Sequence, residues 1–342
     1  MEPNEITEEW RKKLIGQNHV IEAVVPYVTK FLVNLHRPDH PVGNFLFLGP
    51  TGTGKTKSME ALAEVLHGNA NNILRVDCGE FQMEHDIAKL IGAPPGYLGH
   101  RETHPMLSQT KINAVSSENC DLSIVLFDEI EKAAPSMWRL LLGILDKANM
   151  KLGDNTNVKF DRCIIAMTAN IGQEEMQRML RPTLGFETAT RNVVPEDFIG
   201  EKGLASLQKM GTSAFHRKFP AEFPNRLDSV VTFRPLPHDV LVTITQNELT
   251  RLQNHIDDRL QDKGFTLSYT PEVVEYLVKT GSSIKFGARE INRVIDRELY
   301  NPITFDFATQ KIVAGDTVDI SLTNNKLTWV PVPRSVVSAS GK

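Results

Sequence analysis

The chain has 342 residues, of which 41% are hydrophobic and 23% charged, which is typical of a globular protein of about two domains. Its net charge of −4 argues against a general nucleic-acid-binding protein, and its polar N-terminus and lack of any apolar run of ~18 residues argue against a signal peptide or a membrane span. Three scattered cysteines are too few for a disulfide framework or a zinc site, so we expect a reducing, cytoplasmic compartment.

The N-terminal part of the chain has helical periodicity with one interruption. Apolar residues recur at helical spacing over residues 5–36, and Leu-Ile-Gly-Gln at 14–17 breaks the pattern. Two prolines and a glycine then predict a loop over 36–43, before an apolar strand over 44–48. The sequence therefore predicts helices that lead into a first buried strand.

A phosphate-binding loop follows this strand directly. It reads G-x-x-x-x-G-K-T and precedes a predicted helix over 57–67. Glycines let backbone N–H groups turn toward phosphate oxygens, the lysine reaches the β- and γ-phosphates, and the threonine hydroxyl can ligate Mg²⁺. A chance glycine-rich turn is the alternative, but the strand before it and the helix after it favour ATP binding. The predicted ligands are Gly49, Pro50, Thr51, Gly52, Thr53, Gly54, Lys55 and Thr56.

Buried strands alternate with helices in the next part of the chain. The predicted helices lie at 84–91, 106–115 and 136–147. The predicted strands lie at 73–77, 123–127 and 164–168. Because these strands are apolar on both faces, the pattern predicts an α/β fold with a parallel sheet between helices.

Polar residues end two of these strands at positions where a P-loop ATPase needs them. Asp128 and Glu129 follow one strand directly, so Asp128 is a predicted Mg²⁺ ligand and Glu129 the predicted general base that activates water. Strands often end in acids, but the order of phosphate loop, strand and acids favours the catalytic interpretation. Asn170 follows the next strand, and its amide could contact the γ-phosphate or the attacking water. Read alone, Asn170 is more typical of a turn.

The character of the sequence changes near residue 235, where prolines punctuate the chain. We predict a large ATPase domain over 1–235, a smaller, mostly helical domain over 236–330, and a frayed tail over 331–342. Within the smaller domain the predicted elements are helices at 238–263, 271–280 and 288–308 and a strand pair at 266–269 and 317–322.

The local sequence does not determine the roles of two arginines. Arg226 precedes a predicted strand at 230–233, and Arg289 lies in the first turn of a predicted helix. Taken alone, each fits a solvated charge or a surface ion pair.

Several segments together carry a family resemblance. They are Leu-Ile-Gly-Gln at 14–17, the phosphate loop at 45–56, Leu-Ile-Gly-Ala-Pro-Pro-Gly-Tyr-Leu-Gly at 90–99, Asp-Glu-Ile-Glu-Lys-Ala at 128–133, Asn-Arg-Leu-Asp at 225–228 and Gly-Ala-Arg at 287–289. With them the chain resembles the AAA+ ATPase module of the Clp unfoldase family, in particular the second nucleotide-binding domain of the ClpB, ClpA and ClpC type. The likeness covers residues 8–325 and one ring layer, so the chain is a single-ring protein or part of a longer one.

The resemblance implies an AAA+ fold and ATP hydrolysis with Mg²⁺. It also implies a homo-hexamer that unfolds polypeptides, as chaperones do in the stress response. It further implies that Ile15 contacts adenine, Asn170 and Arg289 sense the nucleotide, and Arg226 reaches the γ-phosphate in a neighbouring subunit. An arginine supplied across an interface would make hydrolysis depend on assembly.

The segment at 90–99 has a further implied role in binding substrate. Tyr97 and Leu98, between glycines, would line a central pore and grip an unfolded or tagged protein by apolar contact. A tyrosine packed at a turn is the alternative. A second pore loop is expected at 151–157, where Gly153 and Asp154 lie between a helix and a strand.

A tripeptide that follows Asn170 in the chain suggests a peptidase partner. Leu184, Gly185 and Phe186 resemble the segment by which family members dock into a ClpP-like peptidase, whereas the alternative is that they pack on the chain's own core. Remodelling of nucleic acid is less favoured, because the chain lacks a basic appendage. A nucleotide-switched scaffold is also less favoured, because both Asp128 and Glu129 are present.

Overall fold

The computed structural model describes residues 2–92, 105–171, 201–281 and 288–333. These residues fall into two compact units, of which the first ends at Pro235 and the second begins at Leu236. Among the helices in these ranges, none combines the length and the apolar character that a bilayer span requires.

Helices and strands alternate along the first unit. Its helices are α1 (Pro3–Lys13), α2 (Asn18–Leu32), α3 (Lys55–His67), α4 (Ile87–Ile91), α5 (Gln109–Asn113), α6 (Pro135–Lys147) and α7 (Glu201–Lys218). Its strands are β1 (Gly43–Leu48), β2 (Leu74–Asp77), β3 (Ser123–Asp128), β4 (Asn149–Lys151), β5 (Asn157–Lys159), β6 (Cys163–Ala169) and β7 (Ser229–Thr232).

Five of these strands form one sheet in the order β2-β3-β6-β1-β7, and every neighbouring pair is parallel. Every residue of β1, β3 and β6 is buried. Since all five strands run the same way, their carboxyl ends meet at one edge of the sheet. The predicted parallel sheet is therefore confirmed, and the residues that follow β1, β3 and β6 share an edge.

Alternate residues of the central strands enter two separate hydrophobic cores. Leu46 and Leu48 pack on one face of the sheet, and Phe45 and Phe47 pack on the other. Side chains in a strand alternate between its faces, so a strand that is covered on both sides must be apolar throughout. These strands are therefore nearly continuous apolar runs and do not alternate apolar with polar residues.

Some helices of the first unit differ from the prediction. The helix expected at 84–91 is a 3₁₀ turn over Glu84–Asp86 followed by α4, and the helix expected at 106–115 is shortened to α5. Ser108 sets the start of α5, because its hydroxyl accepts the N–H of Lys111 at 3.4 Å as an N-cap. Helix α7 was not predicted, and β4 pairs with β5 as an antiparallel hairpin around the expected second pore loop.

The second unit combines helices with a small sheet. Its helices are α8 (His238–Leu260), α9 (Pro271–Gly281), α10 (Arg289–Ile295) and α11 (Asn301–Ala308), with a π-helical turn over Asp296–Tyr300 joining the last two. Its strands are β8 (Thr266–Tyr269), β9 (Thr317–Thr323) and β10 (Lys326–Val332), in the order β10-β9-β8.

The predicted strand pair in this unit is confirmed, because β8 and β9 pair in parallel, but a third strand, β10, was not predicted. Asn324 and Asn325 adopt positive φ angles of 51° and 61°, which lets a two-residue turn fold β10 back along β9. The tail was expected to begin at residue 331, but β10 includes Pro331 and Val332. Paired asparagines between two apolar stretches were the signal that would have predicted this hairpin.

Candidate functional site

The phosphate loop connects β1 to α3 at the carboxyl edge of the sheet. Gly49 has a φ of 140°, and a Cβ there would lie 2.9 Å from the carbonyl oxygen of Phe233, so only glycine fits. Gly54 has a φ of 102° and immediately precedes α3, which begins at Lys55, two residues earlier than predicted. The loop thus depends on glycine at both ends, as the motif requires.

Lys55 places its ammonium group inside this loop. The residue is 7% exposed, and its Nζ donates to the carbonyl oxygens of Gly49 and Pro50, each at 2.8 Å. The hydroxyl of Thr53 also donates to the Pro50 carbonyl, at 2.9 Å. A buried cation surrounded by backbone and next to a helix N-terminus forms a strong local binding site for anions.

Asp128 lies next to the phosphate loop and has three polar neighbours. The hydroxyl of Thr56 lies 3.3 Å from Asp128 Oδ2. Thr168 donates its hydroxyl to Oδ1, and Arg75 donates from Nη2 to Oδ2. The Asp128 carboxylate is therefore held beside the Thr56 hydroxyl, and the two groups provide adjacent oxygen ligands at the N-terminus of α3.

Glu129 follows Asp128 with an unusual backbone. Its φ of 57° and ψ of 48° lie in the left-handed region, which is unfavourable for a residue with a Cβ. Its carboxylate accepts from Asn170 Nδ2 at 3.1 Å and from Lys132 Nζ. The hydrogen bond between Lys132 and Glu129 raises the pKa of Lys132 above its ordinary value. The structure thus brings Glu129 and Asn170 into direct contact.

Glu131 is a further acid at the same edge. Its Oε1 accepts the backbone N–H of Asn170 at 3.0 Å. Its Oε2 is buried and has no hydrogen-bond partner within the described residues. Burial raises the pKa of this carboxyl group, and the Asn170 N–H opposes the shift. Asn170 is therefore fixed by one acid through its backbone and contacts another through its side chain.

The segment between α1 and α2 packs against the phosphate loop. Leu14 Cδ1 would lie 3.6 Å from a Cβ on Gly54, and the half-buried Ile15 follows it. Gln17 is fully buried and donates from Nε2 to the carbonyl oxygens of Thr53 at 3.1 Å and Arg234 at 2.9 Å. Its Oε1 accepts the Arg234 N–H at 3.2 Å. One amide thus joins the phosphate loop to the segment after β7.

Arg226 lies near the amino end of β1, whereas the phosphate loop follows its carboxyl end. The Arg226 carbonyl oxygen accepts from Asn44 Nδ2, near the start of β1, at 3.1 Å. Its Nη1 donates to the Glu222 carbonyl at 3.2 Å, and its Nε lies 3.6 Å from Asp146 Oδ1. A strand rises about 3.3 Å per residue, so roughly 16 Å separates the Arg226 backbone from the loop.

The remaining predicted residues lie in the second unit or outside the described ranges. Arg289 is the first residue of α10 in the second unit. The residues outside the described ranges are Tyr97, Leu98, Leu184, Gly185 and Phe186.

Sequence reasoning missed several polar residues that contact the acids or the loop. Thr168 was visible as a polar residue inside the otherwise apolar strand β6, and Arg75 as a cation inside β2. Gln17 and Lys132 lay within the segments that carried the family resemblance, but their partners depend on the tertiary arrangement. Glu131 also lay within such a segment, and its contact with Asn170 likewise depends on the tertiary arrangement.

Comparison with protein families gives two matches that together cover most of the chain. Residues 40–230 match the family model described as AAA domain (Cdc48 subfamily). Residues 236–320 match the model for the C-terminal, D2-small domain of ClpB protein.

Individual relatives and solved structures extend the similarity along the chain. Chaperone protein ClpB of Meiothermus ruber is 34% identical over 314 residues, which span 92% of this chain and 33% of that protein. Mitochondrial chaperone protein ClpB4 of Arabidopsis thaliana is 32% identical over 320 residues, spanning 92% of this chain and 31% of that protein. A Saccharomyces cerevisiae Hsp104:casein complex in an extended conformation aligns with a TM-score of 0.80 and 26% identity, covering 97% of this chain and 53% of that one. The chain thus spans about a third of the length of these curated relatives.

Proposed function

The chain belongs to the AAA domain family, and on that premise we propose that it hydrolyses ATP and uses the energy to unfold proteins. The observation that carries the proposal is the cluster at the carboxyl edge of the sheet. There Lys55 lies within the phosphate loop, Thr56 lies beside Asp128, and Glu129 contacts Asn170. These are the groups that phosphoryl transfer to water requires: a cation for the phosphates, oxygen ligands for a metal, and a base.

The oxygen donors at this edge fit Mg²⁺. Mg²⁺ prefers hard oxygen ligands and usually takes one or two from the protein, with phosphates and water supplying the rest. The Thr56 hydroxyl and the Asp128 carboxylate, 3.3 Å apart, are suited to hold it. When bound, the ion would neutralise charge on the β- and γ-phosphates.

The other residues have roles that follow from their contacts. In our proposal Lys55 exchanges its carbonyl partners for phosphate oxygens, and Glu129 accepts a proton from the attacking water. Asn170 orients the Glu129 carboxylate and the γ-phosphate, since its amide already contacts Glu129 and its backbone is fixed by Glu131. Ile15 lies in the chain between Leu14 and Gln17, which both lie against the phosphate loop, and this supports its proposed contact with adenine.

The position of Arg226 supports action between subunits. An arginine side chain cannot span the roughly 16 Å from its backbone to the phosphate loop of its own chain. Arg226 is therefore proposed to stabilise the transferring phosphoryl group of a neighbouring subunit, within a homo-hexameric ring. Arg289, at the start of α10, is proposed to couple the second unit to nucleotide state.

Protein substrates are the proposed cargo of the ring. The aligned Hsp104 structure contains casein, and the ClpB relatives are chaperones. We propose that Tyr97 and Leu98 grip such a chain in the pore, with the β4–β5 hairpin as a second pore loop. Docking of a ClpP-like peptidase through Leu184, Gly185 and Phe186 stays a prediction.

The proposed compartment is the reducing cytoplasm. The three thiols are buried and form no disulfide, which suits that setting.

The experiment that tests hydrolysis replaces the proposed base. Glu129→Gln should lower the ATP turnover number by at least about a hundredfold, because an amide cannot accept the proton from water. ATP affinity should change by less than about threefold, since the phosphate loop is untouched. Glu118→Gln makes the same change at an exposed acid of the first unit and should retain wild-type turnover. Wild-type turnover in Glu129→Gln would reject the assignment.

A further inference from the structure

We propose that Thr168 is a positioning residue that holds the Asp128 carboxylate and the Glu129 backbone in one fixed arrangement for hydrolysis. The inference rests on the proposed ATP hydrolysis and adds a residue to it. Thr168 is 1% exposed, in a strand whose other members are apolar apart from the cysteine at its start. A polar group buried in such a strand must be hydrogen-bonded, and its partners indicate its role.

The Thr168 hydroxyl has a different bond to each acid. It donates its proton to Asp128 Oδ1 and accepts the backbone N–H of Glu129 at 3.0 Å. A hydroxyl has one proton to donate and lone pairs to accept with, so both bonds form at once. The geometry of one acid is thereby tied to that of the other.

The Glu129 backbone needs such a contact. Its left-handed conformation is unfavourable for a residue with a Cβ and persists only where neighbours fix it. The bond from its N–H to Thr168 is one such constraint, and the bond from the Lys132 N–H to the Glu129 carbonyl, at 2.9 Å, is another. Without the first, the peptide between Asp128 and Glu129 is free to rotate toward a relaxed conformation, which moves the carboxylate of the base.

Each of the other described side-chain partners of the two carboxylates bonds to one acid. Arg75 and Thr56 contact Asp128 by hydrogen bonds, whereas Asn170 contacts the Glu129 side chain. Within the described hydrogen bonds, Thr168 is the residue that bonds to both acids. Its removal should therefore impair the chemical step more than nucleotide binding.

The test uses Thr168→Val, which keeps the shape and removes the hydroxyl. We expect the turnover number to fall by more than about tenfold while the dissociation constant for ATP changes by less than about threefold. Thr168→Ser retains the hydroxyl and should recover most of the turnover. Thr232→Val is a matched control, since Thr232 is a 2% exposed strand residue of the same sheet whose hydroxyl has no hydrogen-bond partner among the described residues. It should hydrolyse ATP at the wild-type rate.

A double variant tests whether Thr168 acts through the base. In the Glu129→Gln background, Thr168→Val should lower the residual turnover by clearly less than the tenfold expected in the wild-type background, because the base is already gone and only the hold on Asp128 is lost. Thermal unfolding with and without ATP confirms that each variant is folded and binds nucleotide.

The outcomes separate this inference from the proposed function. Wild-type turnover in Thr168→Val, or equal loss in Thr168→Ser and Thr168→Val, would overturn the inference alone, provided that Glu129→Gln is inactive. If the wild-type protein has no turnover that depends on Glu129, the proposed function fails and the inference fails with it.

Discussion

Gln17 offers a quantitative test of how the phosphate loop is held. Gln17→Met has nearly the same length but makes none of the three hydrogen bonds to Thr53 and Arg234. The variant leaves two carbonyl oxygens and one N–H without this partner in a site that is fully buried. Each net hydrogen bond contributes about 1 kcal/mol, and each buried group left without a partner costs about 1–3 kcal/mol. Burial of the apolar methionine side chain offsets only part of this loss. We expect the first unit to lose about 2–4 kcal/mol of unfolding free energy.

Urea unfolding followed by tryptophan fluorescence measures this loss. Trp10 and Trp138 report on the first unit, and a Trp329→Phe background removes the signal from the second. The exposed Gln82→Met is the control and should change the unfolding free energy by less than about 0.5 kcal/mol. ATP affinity should also fall in Gln17→Met, because the Thr53 peptide is part of the loop. An unfolding free energy within about 0.5 kcal/mol of wild type would refute the reasoning.

Two further predictions follow from buried titratable groups. Burial, and then the charge of Arg234, lower the pKa of His19 below its ordinary value of 6.5, so the unfolded chain binds a proton that the folded chain does not. The unfolding free energy should thus decrease as pH falls through about 6.5, and His19→Gln should make that decrease smaller; an unchanged pH dependence in the variant would contradict this. Burial also raises the pKa of all three thiols, Cys78, Cys120 and Cys163. A thiolate-specific reagent should therefore label the native chain slowly and the urea-unfolded chain fast. Fast labelling of the native chain would contradict the burial of these thiols.

The sequence predicted the parts of the site that lie close together in the chain. The phosphate loop directly follows an apolar strand, and the two acids stand at the end of another, so the local pattern was sufficient. The hydrogen bonds of Gln17 join residues 17, 53 and 234, and no local pattern contains that information. The pairing of Thr168 with Asp128 depends on β3 and β6 lying side by side in register.

The fold was predicted best where burial leaves few alternatives. Strands covered on both faces must be apolar, so β1, β3 and β6 were found within one or two residues. Helix α7 carries charged and polar residues along with its apolar ones, and it contains two glycines, which are poor helix formers, so its sequence gives a weak helical signal. The β10 strand alternates exposed and half-buried residues at the edge of a small sheet, which gives a weak signal.

The central claim is that ATP hydrolysis drives protein unfolding, and one assay tests it directly. A stably folded fluorescent protein with an unstructured tag is mixed with the assembled chain, and its fluorescence is followed with ATP and Mg²⁺. We expect loss of fluorescence that requires ATP, that stops in Glu129→Gln, and that stops in Tyr97→Ala although this variant still hydrolyses ATP. Steady ATP hydrolysis by the wild-type chain with no unfolding of any tagged substrate would contradict the account.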